Sequence, residues 1–274
     1  MCHIYIKNRL TIITFVKGAH TMYNNYGSLA TKVYELTKPA GASINGDIDY
    51  YIERLEGITG KILEAGVGSG RMLIPLLEEN LDVVGIDASS DMLAMCQQNL
   101  VTNQLKAELH TGNLIDFNLG YETFEGIIMP TSTFCLIETE ELAIKVLTNF
   151  YNHLTSKGKL IFDLDLPFYP ELNETSISTF EVSDKELITL EKKIVEIDWL
   201  KQQIVSHLTY SQWRNGELIK TELQPFLLRW YGLTEVTLLL EKAGFKTITI
   251  SADYDYLETP TDSNQTITVE AHKE

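Results

Sequence analysis

Residues 62–71 read Ile62-Leu63-Glu64-Ala65-Gly66-Val67-Gly68-Ser69-Gly70-Arg71. The short apolar run over residues 61–65 predicts a buried strand, and the glycines after it predict a tight turn into a helix. Such a turn lets a ligand approach the backbone, and it points free N–H groups at the start of the helix toward an anion. The segment therefore predicts a ligand site where the first strand ends.

The spacing of these glycines separates two classes of ligand that use such a turn. The nicotinamide dinucleotide pattern is G-x-G-x-x-G, which would place its third glycine at position 71, where the chain has Arg71. The spacing here is G-x-G-x-G, with Glu64 two residues before the first glycine. A nicotinamide dehydrogenase is therefore a poor alternative.

A second predicted strand, residues 82–87, ends in Asp87. A carboxylate at the end of the second strand can accept hydrogen bonds from both ribose hydroxyls of an adenosine. The alternative is a purely structural turn with an unrelated surface aspartate. A glycine turn on one strand combined with an acid closing the next favours a nucleoside site.

Strands and helices alternate from residue 47 to residue 164, which indicates an α/β fold with a mostly parallel sheet covered by helices on both faces. Ser89 is a candidate cap for the helix that follows the second strand. Lys157-Gly158 is predicted to be a turn before the fifth strand. The remaining predicted strands are 106–110, 124–129 and 159–164, and the predicted helices include 70–79 and 138–154.

After residue 165 the pattern changes to alternating β-type runs at 187–197, 204–213 and 217–228. Asn215-Gly216 lies between two of them and is a strong hairpin signal. A helix over 234–243, capped by Gly244, and strands over 245–250 and 266–272 follow. We therefore expect four parts, namely an N-terminal extension (1–21), a Rossmann-like core (22–164), an antiparallel insertion (165–230) and a C-terminal return to the core (231–274).

Composition limits the classes of partner. The chain has 274 residues, 44% of them hydrophobic, and a formal net charge of −16. This composition is typical of a globular protein and excludes wholesale disorder. The acidic excess repels nucleic acids and anionic membranes, and no basic run compensates for it. Small neutral or cationic molecules are the partners that this charge permits.

The cysteines and the N-terminus give no sign of a metal site or of targeting. Cys2, Cys96 and Cys135 are far apart and lack CxxC or paired-histidine spacing, so we expect no metal and no disulfide framework. No apolar run reaches the roughly 20 residues of a membrane span. Residues 1–21 lack a signal-peptide pattern. We expect them to be disordered or loosely packed, and we expect the protein to be cytoplasmic.

The sequence resembles the class I S-adenosylmethionine-dependent methyltransferases over about residues 26–272. Glu64–Gly70 resembles their first motif, and Gly85-Ile86-Asp87-Ala88-Ser89 resembles their second. Gly112-Asn113-Leu114 is similar to the turn beside the adenine, where the family commonly has Gly-Asp. Leu154–Leu164 is similar to the segment of the fifth strand, and Arg229-Trp230-Tyr231 precedes a segment similar to the late helix of small-molecule members.

The resemblance implies a seven-stranded Rossmann-like sheet with S-adenosyl-L-methionine as cofactor. It places Glu64 near the amino group of the cofactor, Asp87 on the ribose hydroxyls, and Ala88 and Met92 beside the adenine. Asn113 replaces the more usual aspartate, and its amide oxygen can still accept a hydrogen bond from the adenine amine. The positions implied to contact the cofactor are Glu64, Gly66, Gly68, Gly70, Arg71, Asp87, Ala88, Met92, Asn113, Leu114 and Met129.

The implied activity is methyl transfer to nitrogen or oxygen of a small-molecule acceptor. Because the sulfonium is already activated, the protein must mainly align the reactants and exclude water, so no catalytic triad is expected. The insertion would cover the acceptor site or form a homodimer contact. An RNA or protein methyltransferase and a non-catalytic cofactor-binding protein stay open as alternatives. The candidate residues of the acceptor pocket are Tyr34, Thr131, Asp163, Arg229 and Tyr231.

Overall fold

The protein, seen in a computed structural model, contains a seven-stranded sheet and a separate four-stranded antiparallel sheet. The structure describes residues 26–120, 123–167 and 170–274. The two sheets confirm the α/β fold with an antiparallel insertion after the fifth strand. The extension predicted for residues 1–21 lies outside the described residues.

The larger sheet is parallel except at one strand near its edge. β11 runs antiparallel to both of its neighbours, β5 and β10. The carboxyl ends of the parallel strands therefore share one edge of the sheet, where ligands bind in open α/β folds. In sheet order the strands are β10 (Lys246–Ala252), β11 (Ile267–His272), β5 (Leu154–Leu164), β4 (Phe124–Met129), β1 (Ile62–Ala65), β2 (Val83–Asp87) and β3 (Leu109–Thr111).

Helices cover both faces of this sheet. One face carries α5 and α6, and the opposite face carries α2, α3 and α4. β1 is buried at every position, and β4 at every position except Glu125, because both faces of a parallel sheet are covered. The helices are α1 (Ser28–Thr37), α2 (Asp47–Arg54), α3 (Leu73–Glu78), α4 (Ser90–Thr102), α5 (Glu140–His153) and α6 (Leu233–Ala243).

Local signals set several of these boundaries. The Ser89 side chain accepts a hydrogen bond from the Met92 N–H, which confirms the predicted cap of α4. Gly244 ends α6 at φ 109°, as predicted. The predicted start of α5 at residue 138 is slightly early, because Thr139 caps that helix through the Leu142 N–H.

The predicted turn at Lys157-Gly158 is wrong. β5 begins at Leu154, directly after α5, and the chain passes through this segment as strand. Lys157 adopts φ 70°, and the pairing with β4 shifts register between Phe124 and Gly126. Lys157 and Gly158 therefore form a bulge within β5, and the chain does not reverse its direction there. The strand predicted over residues 106–110 is also displaced, since β3 covers only Leu109–Thr111.

The insertion consists of β6 (Thr175–Ser183), β7 (Glu186–Asp198), β8 (Gln203–Arg214) and β9 (Glu217–Arg229), each antiparallel to the next. The hairpin between β8 and β9 turns at Asn215 and Gly216, which both have positive φ, at 51° and 81°. Two such residues form the turn type that this dipeptide predicts.

Helix α1 joins the insertion to the larger sheet. Leu29, Ala30 and Val33 pack against Leu208 and Tyr210 of β8. Glu222 of β9 accepts hydrogen bonds from the Leu29 N–H at 2.8 Å and from the Ser28 hydroxyl at 3.0 Å, so a carboxylate of the insertion satisfies the N-terminus of α1. Within the described ranges, none of the helices is long and apolar enough to cross a membrane.

Candidate functional site

The glycine turn after β1 has the backbone conformation that its sequence predicts. Gly66, Gly68 and Gly70 all have positive φ, at 79°, 55° and 86°. A Cβ atom on Gly66 would lie 2.7 Å from the Cγ2 of Thr133, and one on Gly70 would lie 2.9 Å from the Sγ of Cys96. Both positions therefore require glycine for conformation and for space.

The carboxylate at the end of β2 lies against this turn. Asp87 accepts hydrogen bonds from the Gly68 N–H at 2.9 Å and from the Ser89 N–H at 2.8 Å. Burial raises the pKa of Asp87 above its ordinary value, and the backbone N–H groups oppose that shift. The two features that the sequence connects, the glycine turn and the acid that closes the second strand, are thus in direct contact.

A single cavity runs along these groups. It extends from the glycine turn past Asp87 to the turn after β3, and the first half of α5 forms part of its wall. The positions predicted for the cofactor that line it are Gly66, Gly68, Asp87, Ala88, Met92, Asn113 and Leu114.

The roof of the cavity comes from α1 and from Tyr26, two positions before the first residue of α1. Tyr26 and Tyr34 both line the space, with their rings edge to face at 6.1 Å between centroids. Asp87 and Glu138 are the acids of the lining, and no lysine, arginine or histidine occurs among the described residues that line it. The cavity therefore favours neutral or positively charged molecules.

Asn113 lies in the turn after β3 and lines the cavity, and its side chain already has a partner. Its side-chain oxygen accepts a hydrogen bond from the Ile115 N–H at 3.0 Å, which fixes the turn after β3. A carbonyl oxygen can accept two hydrogen bonds. The amide oxygen therefore keeps one acceptor position for a ligand.

Beneath the glycine turn, Glu64 is buried with an unsatisfied oxygen. The residue is 2% exposed, and its Oε2 atom has no hydrogen-bond partner within the described part of the chain. Desolvation raises the pKa of Glu64 to about 8, and nearby Arg71 opposes the shift. An unpaired buried carboxyl is costly, so this atom is suited to a cationic partner.

Arg71 connects three segments below the cavity. Its guanidinium donates to the carbonyl oxygen of Ala42 at 2.8 Å, to Asp47 at 2.5 Å and to the hydroxyl of Thr131 at 2.7 Å. Both partners of the ion pair with Asp47 are buried. Arg71 therefore ties the segment before α2 to the turn after β4.

Asp163, near the end of β5, is fully buried and receives several hydrogen bonds. The hydroxyls of Tyr51 and Tyr254 donate to it at 2.8 and 3.0 Å, and the Thr131 N–H donates at 2.7 Å. Desolvation raises the pKa of Asp163 to about 7, against the effect of these donors. The side chain lies below the cavity rather than in its lining.

Other predicted positions also lie outside the lining. Met129 is fully buried at the end of β4. Tyr231 donates its hydroxyl hydrogen to the Ile137 carbonyl at 2.7 Å and so supports the cavity wall from behind. Arg229 pairs with Glu235 at 2.6 Å and stacks over Tyr231 at 4.1 Å. Of the five acceptor-pocket candidates, Tyr34 alone lines the cavity.

The sequence did not indicate several residues that line the cavity. Leu142 and Val146 belong to the apolar stripe of α5, and that stripe looks like ordinary core. Thr133 and Leu136 lie in a short 3-10 helix after β4, and Ile137 directly follows that helix. Their position directly after a central strand was the available signal, because strand ends in a parallel sheet converge on the ligand edge.

Comparison with known proteins identifies the domain that carries this cavity. Residues 62–158, from β1 into β5, match the family model described as a methyltransferase domain. The Bacillus subtilis (strain 168) protein YqeM, whose name assigns it methyltransferase activity only provisionally, is 23% identical over 202 residues. The aligned region covers 71% of this chain and 77% of that relative.

Two solved structures share the fold over nearly the whole chain. The sugar N-methyltransferase KedS8 from Streptoalloteichus sp ATCC 53650 has a TM-score of 0.72 at 16% identity, covering 100% of both chains. CalS10 from Micromonospora echinaspora, an amino pentose methyltransferase solved with bound S-adenosylmethionine, has a TM-score of 0.63 at 15% identity. That alignment covers 92% of this chain and 99% of CalS10.

Proposed function

We propose that this chain is a class I S-adenosylmethionine-dependent methyltransferase, which uses S-adenosyl-L-methionine as its cofactor and methylates a nitrogen atom of a small-molecule amine. The observation that carries the proposal is the cavity that joins the glycine turn to Asp87 under a roof of two tyrosines. Its lining has acidic groups and, among the described residues, no basic side chain.

The residues present fit the cofactor. The unpartnered Oε2 of Glu64 suits the ammonium group of its amino-acid part, and the three glycines leave room for that part against the backbone. Asp87 has acceptor positions left for the ribose hydroxyls. Ala88, Met92 and Leu114 supply apolar surface for the adenine, and Asn113 lies at its polar edge.

When bound, S-adenosylmethionine supplies a methyl group on a positively charged sulfur, which is already activated toward a nucleophile. The chain has to hold the acceptor nitrogen in line with that methyl group and keep water away. Tyr26 and Tyr34 are placed to exclude water because they close the cavity from the side of α1.

An amine is the acceptor class that the charges favour. A cavity with acidic and no basic side chains among its described lining residues gives no partner to an acceptor carboxylate or phosphate, whereas it attracts an amine. The names of the two similar structures, a sugar N-methyltransferase and an amino pentose methyltransferase, support the same class. The net charge of −16 disfavours RNA as the acceptor.

A panel of acceptors tests this assignment. The purified protein is incubated with S-adenosylmethionine and with amino sugars, alkylamines, phenols, carboxylates or bulk RNA, and release of S-adenosylhomocysteine is measured. We expect release with amines and background release with the other classes. Turnover of phenols or carboxylates alone would contradict the nitrogen assignment. Tight cofactor binding without turnover of any class would favour the non-catalytic alternative.

We also propose that the insertion forms a homodimer contact. Ile177, Glu191, Thr209 and Leu223 are paired in one row across the four strands of the insertion, so their side chains share a face. This face is opposite to the one that packs on α1. Ile177 is 68% exposed and Leu223 is 57% exposed, and a second copy of the same face is a partner that would cover both.

Sedimentation velocity tests the dimer. We expect the wild-type protein to sediment as a dimer at tens of micromolar and Leu223→Asp to sediment as a monomer. Leu238→Asp is the matched control, because Leu238 is equally exposed but lies on α6, away from the insertion. A monomeric wild type, or a dimer that survives Leu223→Asp, would refute this contact.

A further inference from the structure

The turn directly after β4 has a conformation that its residues rarely adopt. Thr131 and Ser132 are consecutive and both have positive φ, at 58° and 54°. A β-branched residue in this region is uncommon because its side chain crowds the backbone. Strained residues of this kind persist only where surrounding groups hold them, and they cluster at functional sites.

Two buried charged side chains hold this turn from below. Asp163 accepts the Thr131 N–H at 2.7 Å, and Arg71 donates to the Thr131 hydroxyl at 2.7 Å. Asp163 is itself fixed by the hydroxyls of Tyr51 and Tyr254. Thr131 is thus bound at both its backbone and its side chain by groups that are themselves immobilised.

The turn determines where the next residue lies. The Thr133 N–H and hydroxyl both donate to the carbonyl of Pro130, at 3.4 and 2.9 Å, which closes the backbone around the two strained residues. Thr133 lines the cavity, and its Cγ2 is the atom that a Cβ on Gly66 would strike at 2.7 Å. The strained turn therefore sets the wall that faces the glycine turn.

We propose that Asp163 and Arg71 are positioning residues for methyl transfer, because they force Thr131 and Ser132 into the left-handed conformation that presses Thr133 against the glycine turn. The inference rests on the proposed function, since the wall matters only if the methyl-bearing end of the cofactor lies there. A rigid wall would hold the methyl group on the line of attack, and a displacement of about 1 Å is enough to slow such a step about a hundredfold. Asp163 and Arg71 act through Thr131 and touch neither reactant.

Substitution of Ser132 tests whether the strained backbone conformation serves methyl transfer or only the stability of the fold. Ser132→Gly removes the conformational cost, so we expect an unchanged or higher melting temperature. Because glycine also leaves the backbone free to adopt other conformations, the wall loses its rigidity. We therefore expect kcat to fall at least tenfold, while affinity for S-adenosylhomocysteine by calorimetry stays within threefold. Ser132→Ala is the matched variant, since it removes the hydroxyl but keeps the Cβ atom, and its kcat should exceed that of Ser132→Gly at least fivefold. A Ser132→Gly variant with wild-type kcat would overturn the proposal.

A second pair of variants tests Asp163 itself. Asp163→Asn replaces one acceptor oxygen with an amide donor, so it disturbs the contact with the Thr131 N–H, whereas Tyr254→Phe removes a different hydrogen bond of the same carboxylate. We expect at least a tenfold loss of kcat for Asp163→Asn and less than threefold for Tyr254→Phe. Equal effects would indicate a purely structural role. If the wild type bound no S-adenosylhomocysteine, the proposed function would fail first, independently of this inference.

Discussion

Replacement of Asp87 with alanine is expected to weaken the binding of S-adenosylhomocysteine at least tenfold. The carboxylate lies against the glycine turn and is the acidic group placed for the ribose hydroxyls. A hydrogen bond to a charged group contributes about 1.5–3 kcal/mol, and about 1.4 kcal/mol corresponds to a factor of ten in affinity. The measurement is calorimetric titration with S-adenosylhomocysteine, which binds without turnover.

A nearby acid provides the control for Asp87→Ala. Asp91 lies in the first turn of α4 but is exposed and absent from the cavity lining. Asp91→Ala should bind S-adenosylhomocysteine as the wild type does. If Asp87→Ala also kept wild-type affinity, the ribose role of this carboxylate would be refuted.

Replacement of Glu64 with glutamine is expected to stabilise the cofactor-free protein at high pH. The pKa of Glu64 in the folded protein is about 8, above its ordinary value of 4.5. A raised folded-state pKa means that stability is lost as pH rises from the ordinary value to the folded one. At pH 9 the loss is on the order of a few kcal/mol. The melting temperature of Glu64→Gln should therefore exceed that of the wild type, by a margin that widens from pH 5 to pH 8.

The same substitution should weaken cofactor binding and change its pH dependence. The complex needs an ionised Glu64 beside the ammonium group of the ligand. Below pH 8 Glu64 is protonated in the free protein, so binding must release its proton. Affinity for S-adenosylhomocysteine should therefore rise from pH 6 to pH 8 in the wild type, and Glu64→Gln should bind at least tenfold more weakly at pH 8 and lose this rise.

Exposed Glu79 provides the control for this pair of measurements. Glu79→Gln removes a surface carboxylate and should change neither the melting temperature nor the affinity. A Glu64→Gln variant that is no more stable than the wild type at pH 9 would contradict the burial of an ionisable, unpartnered carboxyl. A flat pH profile of wild-type affinity would contradict its contact with the amino group.

Much of the central sheet was predictable because local signals and the fold agree. β4 follows the predicted range 124–129, and α4 begins at its predicted cap, Ser89. The contact between the glycine turn and Asp87 was also predictable. Both features end neighbouring parallel strands, and β1 and β2 pair in register from Ile62 to Ala65. Short apolar strands, caps and glycine turns are properties of a few consecutive residues, so a sequence records them directly.

The walls of the cavity were less predictable because they depend on contacts between distant segments. The position of Tyr34 follows from the docking of α1 on the insertion, and the bond from the Leu29 N–H to Glu222 joins residues 193 apart. Val146 belongs to the apolar stripe of α5, and apolar periodicity alone does not show which part of that stripe lines the cavity. Arg229 was wrongly placed for a similar reason. The sequence suggests it as a residue of the acceptor pocket, but its guanidinium forms an ion pair with Glu235 instead.

The most direct test of the central claim is a crystal structure of the protein grown with S-adenosylhomocysteine. We expect density for the nucleoside along the cavity, with the ribose within hydrogen-bond distance of Asp87 and the amino-acid end over residues 66–70 beside Glu64. Density for this ligand elsewhere, with the cavity filled only by solvent, would contradict the account.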